Sequence, residues 1–298
     1  MPDAKKSPLH VHFHQPFNVI RLTIACLLAV AVLQGAPDRL SNHDAPIFFS
    51  VEECIHGMSL QTATAPSHHE LKDEFELICW NIEKGNNPGW KQELKAMAAN
   101  TQLVLLQEAI FVEEMKQPRE KPLFWSFAPG YETNAHSSGV MTVSRMQPSF
   151  FCSLEATEPW LRSPKKTSIV QFPLGHDGNS LLLVNMHAIN FTFGIKAFAK
   201  QLNEVGHILG AHTGPIVFSG DLNTWTQARK DVLSPFISKF NLTEVGFEPD
   251  HRSHKMGHPV DYIFTRGLEV KQSRVVEVDT SDHNPLIVTL ALLSDESI

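Results

Sequence analysis

A chain of 298 residues with 42% hydrophobic side chains can bury a large core, and its length suits one large domain or two small ones. The 25 Lys and Arg residues against 32 Asp and Glu residues give a formal net charge of −7. This balance excludes a global basic field that would hold a nucleic acid, and it leaves only a local basic patch open.

An apolar run without charged residues occupies positions 22–33. Lys5, Lys6 and Arg21 precede it and small residues follow it, which is the order typical of a secretory signal. As a transmembrane helix the run is short against the roughly 20 residues that a bilayer requires. We therefore expect residues 1–36 to be a signal peptide or a membrane anchor, which predicts a protein in the inner membrane, in the periplasm or secreted. The alternative is a buried helix in a cytoplasmic protein.

The next segment, residues 37–70, is rich in Pro, Ser, Thr and His and shows little periodicity. This composition predicts a linker or a loosely packed lead-in to a domain over residues 71–298. The chain has four cysteines, and no pair has the C-x-x-C spacing of a thiolate zinc site. A bridge between Cys54 and Cys152 is the most natural pairing, although nothing in the spacing requires it.

From residue 71 onward, short apolar runs alternate with amphipathic helical patterns, which predicts an α/β domain. The predicted strands cover residues 74–81, 103–108, 139–145, 167–172, 181–187, 215–218, 260–264, 268–278 and 286–292. The predicted helices cover residues 91–100, 195–210 and 231–240.

Polar residues stand at or just beyond the ends of these strands. They are Asn81, Glu108, His187, Asn190, Asp221, Asn223, Asp261, Asp282 and His283. Each alone has an ordinary explanation, such as a helix cap, a satisfied core histidine or a turn. Burying three Asp, a Glu and two His at one rim would be costly unless these side chains bind a cation and one another. The set therefore predicts a metal-assisted phosphate site.

Six short motifs of the chain resemble, in order, those of the endonuclease/exonuclease/phosphatase superfamily, which includes DNase I, exonuclease III, neutral sphingomyelinases and inositol polyphosphate 5-phosphatases. The motifs are Trp80-Asn81, Gln107-Glu108, Asn185-x-His187, Gly220-Asp221-x-Asn223, Asp261-Tyr262 and Ser281-Asp282-His283. Together they cover the chain from Phe75 to Leu292. Residues 103–109, 138–142, 185–191 and 281–286 are similar to the bacterial YafD-like branch.

This resemblance implies a four-layer α/β sandwich of the DNase I-like type, with two mixed β-sheets face to face, flanked by helices. It also implies a site at one end of the sheets that uses Mg²⁺ or Mn²⁺. Glu108 with Asn81 would hold the metal ion, and Asp282 would approach it.

The same resemblance assigns the remaining polar residues to catalysis and to substrate binding. Asp221 would accept the proton of an attacking water, and Asn223 would orient Asp221 or contact the phosphate. His283, held by Asp261, would donate to a phosphoryl oxygen. His187, counted among the catalytic residues, and Asn190 would hold the same phosphate, and Asn185 would bind substrate. Trp225 is expected at the substrate from its position next to the catalytic strand, where an aromatic side chain can stack on a base or contact a lipid.

The predicted activity is hydrolysis of a phosphodiester in a nucleic acid or a phospholipid, by attack of water assisted by a divalent metal ion. The basic clusters at residues 162–166 and 252–255 give little support for nucleic acid, because surface charge runs are usually solvated. A phosphomonoesterase and a non-catalytic binding scaffold on the same fold are the alternatives. No feature of the sequence indicates a protein partner.

Overall fold

The computed structural model describes residues 40–61, 71, 73–111, 123–132, 137–174 and 179–293. The predicted signal peptide or membrane anchor over residues 1–36 lies outside these ranges. Among the residues described, no helix combines the length and the apolar character needed to cross a bilayer.

The described residues form two large sheets and four α-helices. The strands of the first sheet are β1 (Ile47–Phe48), β6 (Phe150–Thr157), β7 (Pro164–Leu174), β8 (Asn179–His187), β9 (Ile216–Asp221), β13 (Asp261–Arg266) and β10 (Thr243–Glu244), in that spatial order. Those of the second are β14 (Leu268–Val275), β15 (Leu286–Leu292), β2 (Glu74–Asn81), β3 (Leu103–Ile110), β5 (Ser137–Ser144) and β4 (Phe124–Glu132). A small hairpin joins β11 (His254–Lys255) to β12 (His258–Pro259). The helices are α1 (Val51–Gln61), α2 (Trp90–Met97), α3 (Lys196–Ala211) and α4 (Gln227–Lys239).

The two sheets pack face to face, and helices cover both outer faces. Helices α1, α3 and α4 share an apolar core with the seven-stranded sheet, and α2 packs on the outer face of the six-stranded sheet. A third core fills the space between the sheets. Both sheets contain parallel and antiparallel neighbours. The predicted four-layer α/β sandwich is therefore confirmed.

Strand β8 shows why the sequence patterns are apolar without interruption. Leu182 and Val184 pack towards the helices, whereas Leu181 and Leu183 pack towards the other sheet. Because successive side chains of a strand point to opposite faces, a strand buried on both faces is mostly apolar, and a polar residue within it, such as Asn185, must find its partners inside the protein. Only at its end, at the rim of the sandwich, does β8 present a functional side chain, His187.

Residues 47–61, which lie within the predicted linker or loosely packed lead-in over residues 37–70, contain strand β1 and helix α1. Strand β1 pairs in parallel with β6, and the buried Cys54 of helix α1 forms a disulfide with Cys152 of β6. Helix α1 begins with a capping box, because the Glu53 amide donates to the Ser50 hydroxyl and the Glu53 carboxylate accepts from the Ser50 amide. This Ser-x-x-Glu signal was present in the sequence, and so was an apolar helical face, because Val51, Cys54, Ile55 and Met58 pack on the core. The open question of the disulfide is thereby answered.

Candidate active site

Three neighbouring strands of the seven-stranded sheet bring His187, Asp221 and Asp261 side by side, at the end of the sheet where β8 and β9 finish and β13 begins. In the register of β8 and β9, His187 lies opposite Asp221, and in the register of β9 and β13, Asp221 lies opposite Asp261. All three side chains are buried. The strand ends therefore converge as the sequence predicted.

The backbone around Asp221 explains the Gly-Asp-x-Asn motif. Gly220 has a φ of 141°, and a Cβ at this position would lie 1.9 Å from the Met186 carbonyl oxygen, so that only glycine fits. Asn223 adopts a left-handed φ of 49°, and its backbone N–H donates to Asp221 Oδ1 at 3.0 Å. This Asx turn fixes the Asp221 carboxylate at the mouth of β9.

The Asp221 carboxylate is the centre of the site. Its Oδ2 accepts from the side-chain amides of Asn81, at 3.1 Å, and of Asn223, at 3.3 Å. The Nε2 atom of His187 lies 3.5 Å from the same oxygen. Burial raises the pKa of Asp221, and the charge of His283 partly offsets this rise.

Asp261 and His283 form a buried pair beside Asp221. His283 Nδ1 lies 2.7 Å from Asp261 Oδ2, and its Nε2 lies 4.0 Å from Asp221 Oδ2. Burial alone would lower the pKa of His283, but the carboxylates of Asp261 and Asp221 raise it above its usual value. The imidazole is therefore held as a cation that donates to Asp261 and faces Asp221. The indole of Trp80 donates to the His283 carbonyl at 2.8 Å and fixes this loop to β2.

His187 differs from His283 because a lysine reaches it. Lys165 Nζ, from the start of β7, lies 3.0 Å from His187 Nε2. An ammonium group only donates, so Nε2 accepts and the His187 ring is neutral. Burial, followed by the charge of Lys165, lowers the pKa of His187 well below its usual value. Lys165 belongs to the basic cluster at residues 162–166, and the sequence did not assign it to the site.

Glu108 reaches the site through an irregularity in β3. The register with β5 shifts between Leu106 and Ala109, and Glu108 has a φ of 48°. A bulge of this kind redirects a side chain. Glu108 Oε1 lies 3.8 Å from His187 Nε2, and Oε2 pairs with Lys84 Nζ at 2.8 Å. Lys84 was also missed, because it lies in a short 3₁₀ turn after β2 that has no sequence pattern.

The prediction that Asn185 binds substrate is wrong. Its side chain is fully buried between the sheets, where Oδ1 accepts from Gln107 Nε2 at 2.6 Å. Its Nδ2 donates to the carbonyls of Met141 and Leu106, at 3.0 and 3.3 Å. Because these partners belong to the opposite sheet, Asn185 joins the two sheets and has no group left for a ligand.

Asn190 and Trp225 lie together at the rim, since Trp225 Nε1 donates to Asn190 Oδ1 at 2.9 Å. Both side chains are partly exposed. The buried guanidinium of Arg229, in α4, donates to the carbonyls of Asn190, at 2.7 Å, and of Asn223, at 3.0 Å. Arg229 therefore fixes the backbone behind both residues, and it was not singled out from the sequence.

Asp282 lies at the edge of the site. Its carboxylate is half-exposed, Oδ2 pairs with Lys255 Nζ at 2.8 Å, and Oδ1 lies 3.7 Å from His283 Nε2. Lys255 and the neighbouring charges lower the pKa of Asp282, although burial opposes this. That Asp282 approaches a metal ion stays a prediction.

The donor set of the site fits a divalent cation. Within the described part of the chain, Asp221, Asp261 and His283 bring one ligand-type atom each within 4.8 Å of one another, although His283 could ligate a cation only in its neutral form. Glu108 adds a further carboxylate, and the buried Oδ1 of Asp261 has no hydrogen-bond partner. A surplus of carboxylate oxygens is the ligand chemistry that Mg²⁺ and Mn²⁺ prefer.

Comparison with known proteins places the chain in a family. The model of the Endonuclease/Exonuclease/phosphatase family matches residues 78–283. The UPF0294 protein VP2298 of Vibrio parahaemolyticus is 39% identical over 228 residues, which cover 74% of this chain and 78% of the relative. A UPF0294 protein of Yersinia pseudotuberculosis is 40% identical over 217 residues, which cover 72% of this chain and 82% of the relative.

Solved structures show the same fold. An endonuclease/exonuclease/phosphatase from Beutenbergia cavernae has a TM-score of 0.56 at 16% identity and covers 74% of this chain and 72% of its own. The human Nocturnin catalytic domain with bound sulfate anion has a TM-score of 0.55 at 15% identity and covers 76% and 97%. The chain therefore belongs to the endonuclease/exonuclease/phosphatase family, in the bacterial YafD-like branch that the UPF0294 relatives represent.

Proposed function

We propose that the protein is a divalent-metal-dependent phosphoric ester hydrolase that cleaves a phosphodiester by in-line attack of water. Members of its family are usually hydrolases of phosphate esters. The observation that carries the proposal is the Asp221 carboxylate, which is buried and surrounded by Asn81, Asn223, His187 and His283 within 4.0 Å. A purely structural role would not require a carboxylate, two imidazoles and two amides at one solvent-facing rim.

In this proposal Glu108 and Asn81 would hold Mg²⁺ or Mn²⁺, with Asp282 at the edge of the same site. The bound ion would polarise a phosphoryl oxygen and offset the negative charge that develops there. Lys84, which pairs with Glu108, lies where it could contact a phosphate oxygen once the Glu108 carboxylate binds a cation.

Asp221 acts as the proton acceptor for the attacking water. The Asn81 and Asn223 amides both donate to Asp221 Oδ2, so the carboxylate is held in one orientation before substrate arrives. A positioned general base contributes typically 10²- to 10⁴-fold to the rate.

On the opposite side, His283 donates a hydrogen bond from Nε2 to a non-bridging oxygen, and Asp261 keeps the ring oriented and charged. Lys165, held by His187 Nε2, donates to the same phosphate, and Asn190 with Trp225 contacts the part of the substrate beyond it. These groups supply positive charge and hydrogen-bond donors to the phosphate, close to the predicted metal ligands Glu108 and Asp282.

The test is turnover of bis(p-nitrophenyl) phosphate with Mg²⁺ or Mn²⁺ and with excess EDTA. We expect activity that EDTA abolishes, and a loss of about 10² to 10⁴ in His283→Ala. His207→Ala is the matched control, because it removes an exposed histidine of α3. Equal activity with and without EDTA, or equal turnover in the two variants, would contradict the proposal. Faster turnover of p-nitrophenyl phosphate would favour a phosphomonoesterase.

We further propose that the catalytic domain works outside the cytoplasm, in the periplasm or at the membrane. The buried disulfide between Cys54 and Cys152 supports this, because disulfides persist mainly in oxidising compartments. Acid quenching of intact cells, followed by alkylation of free thiols in denaturant and mass spectrometry, should leave both cysteines unmodified. Alkylation of both would contradict an oxidising location.

A further inference from the structure

Two loops at the rim of the active site expose large apolar side chains. One loop joins β6 to β7, and the other joins β8 to α3. The exposed side chains, which we name the apolar rim, are Trp160 (60% exposed), Leu161 (62%), Phe191 (55%), Phe193 (78%) and Ile195 (38%). Single exposed apolar residues are ordinary on a protein surface, but five from two loops on the same edge require an explanation.

The two loops are held together and present one surface. The rings of Trp160 and Phe193 meet edge to face with centroids 3.7 Å apart. Beneath them, the buried carboxylate of Glu158 accepts from the backbone amides of Asn190, at 2.9 Å, and of Phe191, at 3.2 Å. A buried acid that crosslinks one loop to the backbone of the other stabilises the arrangement in which the aromatic tips point outward.

The apolar rim borders the active site directly. Phe191 follows Asn190, and the carbonyl of Asn190 is bound by the buried Arg229. The other loop leads into β7, where Lys165 reaches His187. A molecule with an apolar body on the rim would therefore place an attached phosphate at the site.

The charge on this surface suits a phospholipid. Over residues 159–163 and 190–196 the chain carries two basic side chains, Arg162 and Lys196, and no acidic one, although its net charge is −7. Both basic side chains are exposed. Leu161 and Ile195 offer no ring for a base to stack on, whereas aromatic and branched aliphatic tips with flanking cations are typical of surfaces that enter an anionic bilayer interface.

We propose that the apolar rim inserts into the interface of an anionic phospholipid bilayer and presents the phosphodiester of a lipid headgroup to the catalytic residues. The inference rests on the proposed phosphodiester hydrolysis for the identity of the reacting group, while the membrane contact is a separate property of the two loops. It is also separate from any anchoring by residues 1–36.

Tryptophan fluorescence of the full chain tests the contact. Trp80, Trp90 and Trp125 are buried and Trp225 is partly exposed, whereas Trp160 is 60% exposed, so vesicles of dibrominated phosphatidylcholine and phosphatidylglycerol should quench Trp160 most strongly. The matched control is Trp160→Phe, which keeps an apolar ring on the rim but removes the reporter. We expect most of the quenching to disappear in this variant. No quenching in the wild type, or unchanged quenching in Trp160→Phe, would overturn the proposal.

A second pair of variants separates the contribution of the apolar rim to vesicle binding from that of residues 1–36, because every protein compared carries the same N-terminal segment. The double variant Trp160→Ser/Phe193→Ser should bind the same vesicles at least about tenfold more weakly and hydrolyse bis(p-nitrophenyl) phosphate at the wild-type rate. The control Leu60→Ser changes an apolar residue of similar exposure (55%) on α1 and should behave as wild type. Equal vesicle binding by the two variants would overturn the proposal.

Other occupants of the rim give different results. Quenching of Trp160 by single-stranded oligothymidylate but not by vesicles would overturn the lipid assignment in favour of a nucleic acid. Dimerisation in sedimentation experiments that the double variant abolishes, without vesicle binding, would show instead that a second copy covers the rim. Absence of bis(p-nitrophenyl) phosphate turnover with persisting vesicle quenching would refute the proposed hydrolysis and the headgroup assignment, but would support the membrane contact.

Discussion

The replacement Asp221→Asn should inactivate the protein without destabilising it at alkaline pH. Burial raises the pKa of Asp221 from 3.8 to about 6, so the folded protein disfavours the ionised carboxylate. A difference of one in pKa corresponds to roughly 1.4 kcal/mol, so ionised Asp221 destabilises the fold by about 3 kcal/mol. Because the folded pKa is raised, this group favours the folded state below pH 3.8, and the advantage is lost as the pH rises through about 6.

The amide of Asp221→Asn cannot ionise, so the variant avoids the destabilisation at high pH. Its new NH₂ group would, however, face the amides of Asn81 and Asn223, which now donate to Asp221 Oδ2. An unpaired buried donor costs about 1 to 3 kcal/mol. The two effects nearly cancel at pH 8, whereas at pH 5 the wild type escapes about half of its destabilisation, so the variant should be less stable relative to the wild type at pH 5 than at pH 8.

Urea unfolding in EDTA at pH 5 and pH 8 measures the stability difference, and turnover of bis(p-nitrophenyl) phosphate with Mg²⁺ measures the function. We expect turnover to fall about 10²- to 10⁴-fold, with a free energy of unfolding at pH 8 equal to or above that of the wild type. Near-normal turnover would show that Asp221 is not the base. A loss of more than about 3 kcal/mol at pH 8 would show that the carboxylate anchors the fold and that the reasoning from its pKa is wrong.

Three further predictions concern stability. Asn185→Ala should lower the free energy of unfolding by about 3 kcal/mol or more, because it leaves three buried groups unpaired. The variant that folds should keep the wild-type KM. A raised KM at unchanged stability would restore the substrate role of Asn185. Cys54→Ser should lower the unfolding free energy by about 4 to 5 kcal/mol, since the disulfide to Cys152 spans 98 residues. Dithiothreitol should lower the Tm of the wild type but not that of the variant. Burial lowers the pKa of His43 from 6.5 to about 4 despite the nearby Asp44, so wild-type stability should fall as the pH drops from 6.5 towards 4. Urea unfolding at several pH values should show a smaller fall in His43→Gln. The same dependence of unfolding free energy on pH in both proteins would refute this prediction.

Several strands were predictable from the sequence because they form long, uninterrupted apolar runs. The run at residues 74–81 coincides with β2, and the run at 286–292 coincides with β15. Strands β4 and β6 were missed. Strand β6 is buried over its first five residues only, and polar and apolar residues alternate over its more exposed last three, so its apolar run is short.

The convergence of the polar strand ends was also predictable, because strands of one sheet that end at the same edge bring their last side chains together. The lysines of the site were not predictable, because Lys84 and Lys165 reach Glu108 and His187 from a turn and from the start of a strand. A lysine at such a position has the same sequence context as a solvated one. Its role depends on the path of its long side chain, which no spacing rule specifies.

The error at Asn185 shows how depth along a strand separates structure from catalysis. Asn185 and His187 are two residues apart and share a face of β8, but the asparagine lies about 7 Å deeper between the sheets. At that depth the polar groups are neutral and pair across the sheets, as Asn185 does with Gln107 and as Thr142 does with Ser168 at 3.2 Å. Neutral amides and hydroxyls can satisfy one another without a ligand, whereas buried carboxylates require cations or donors. Under the proposed function, the level at which the neutral pairs give way to Asp221, Asp261 and Glu108 is therefore the depth to which we expect a phosphate to enter.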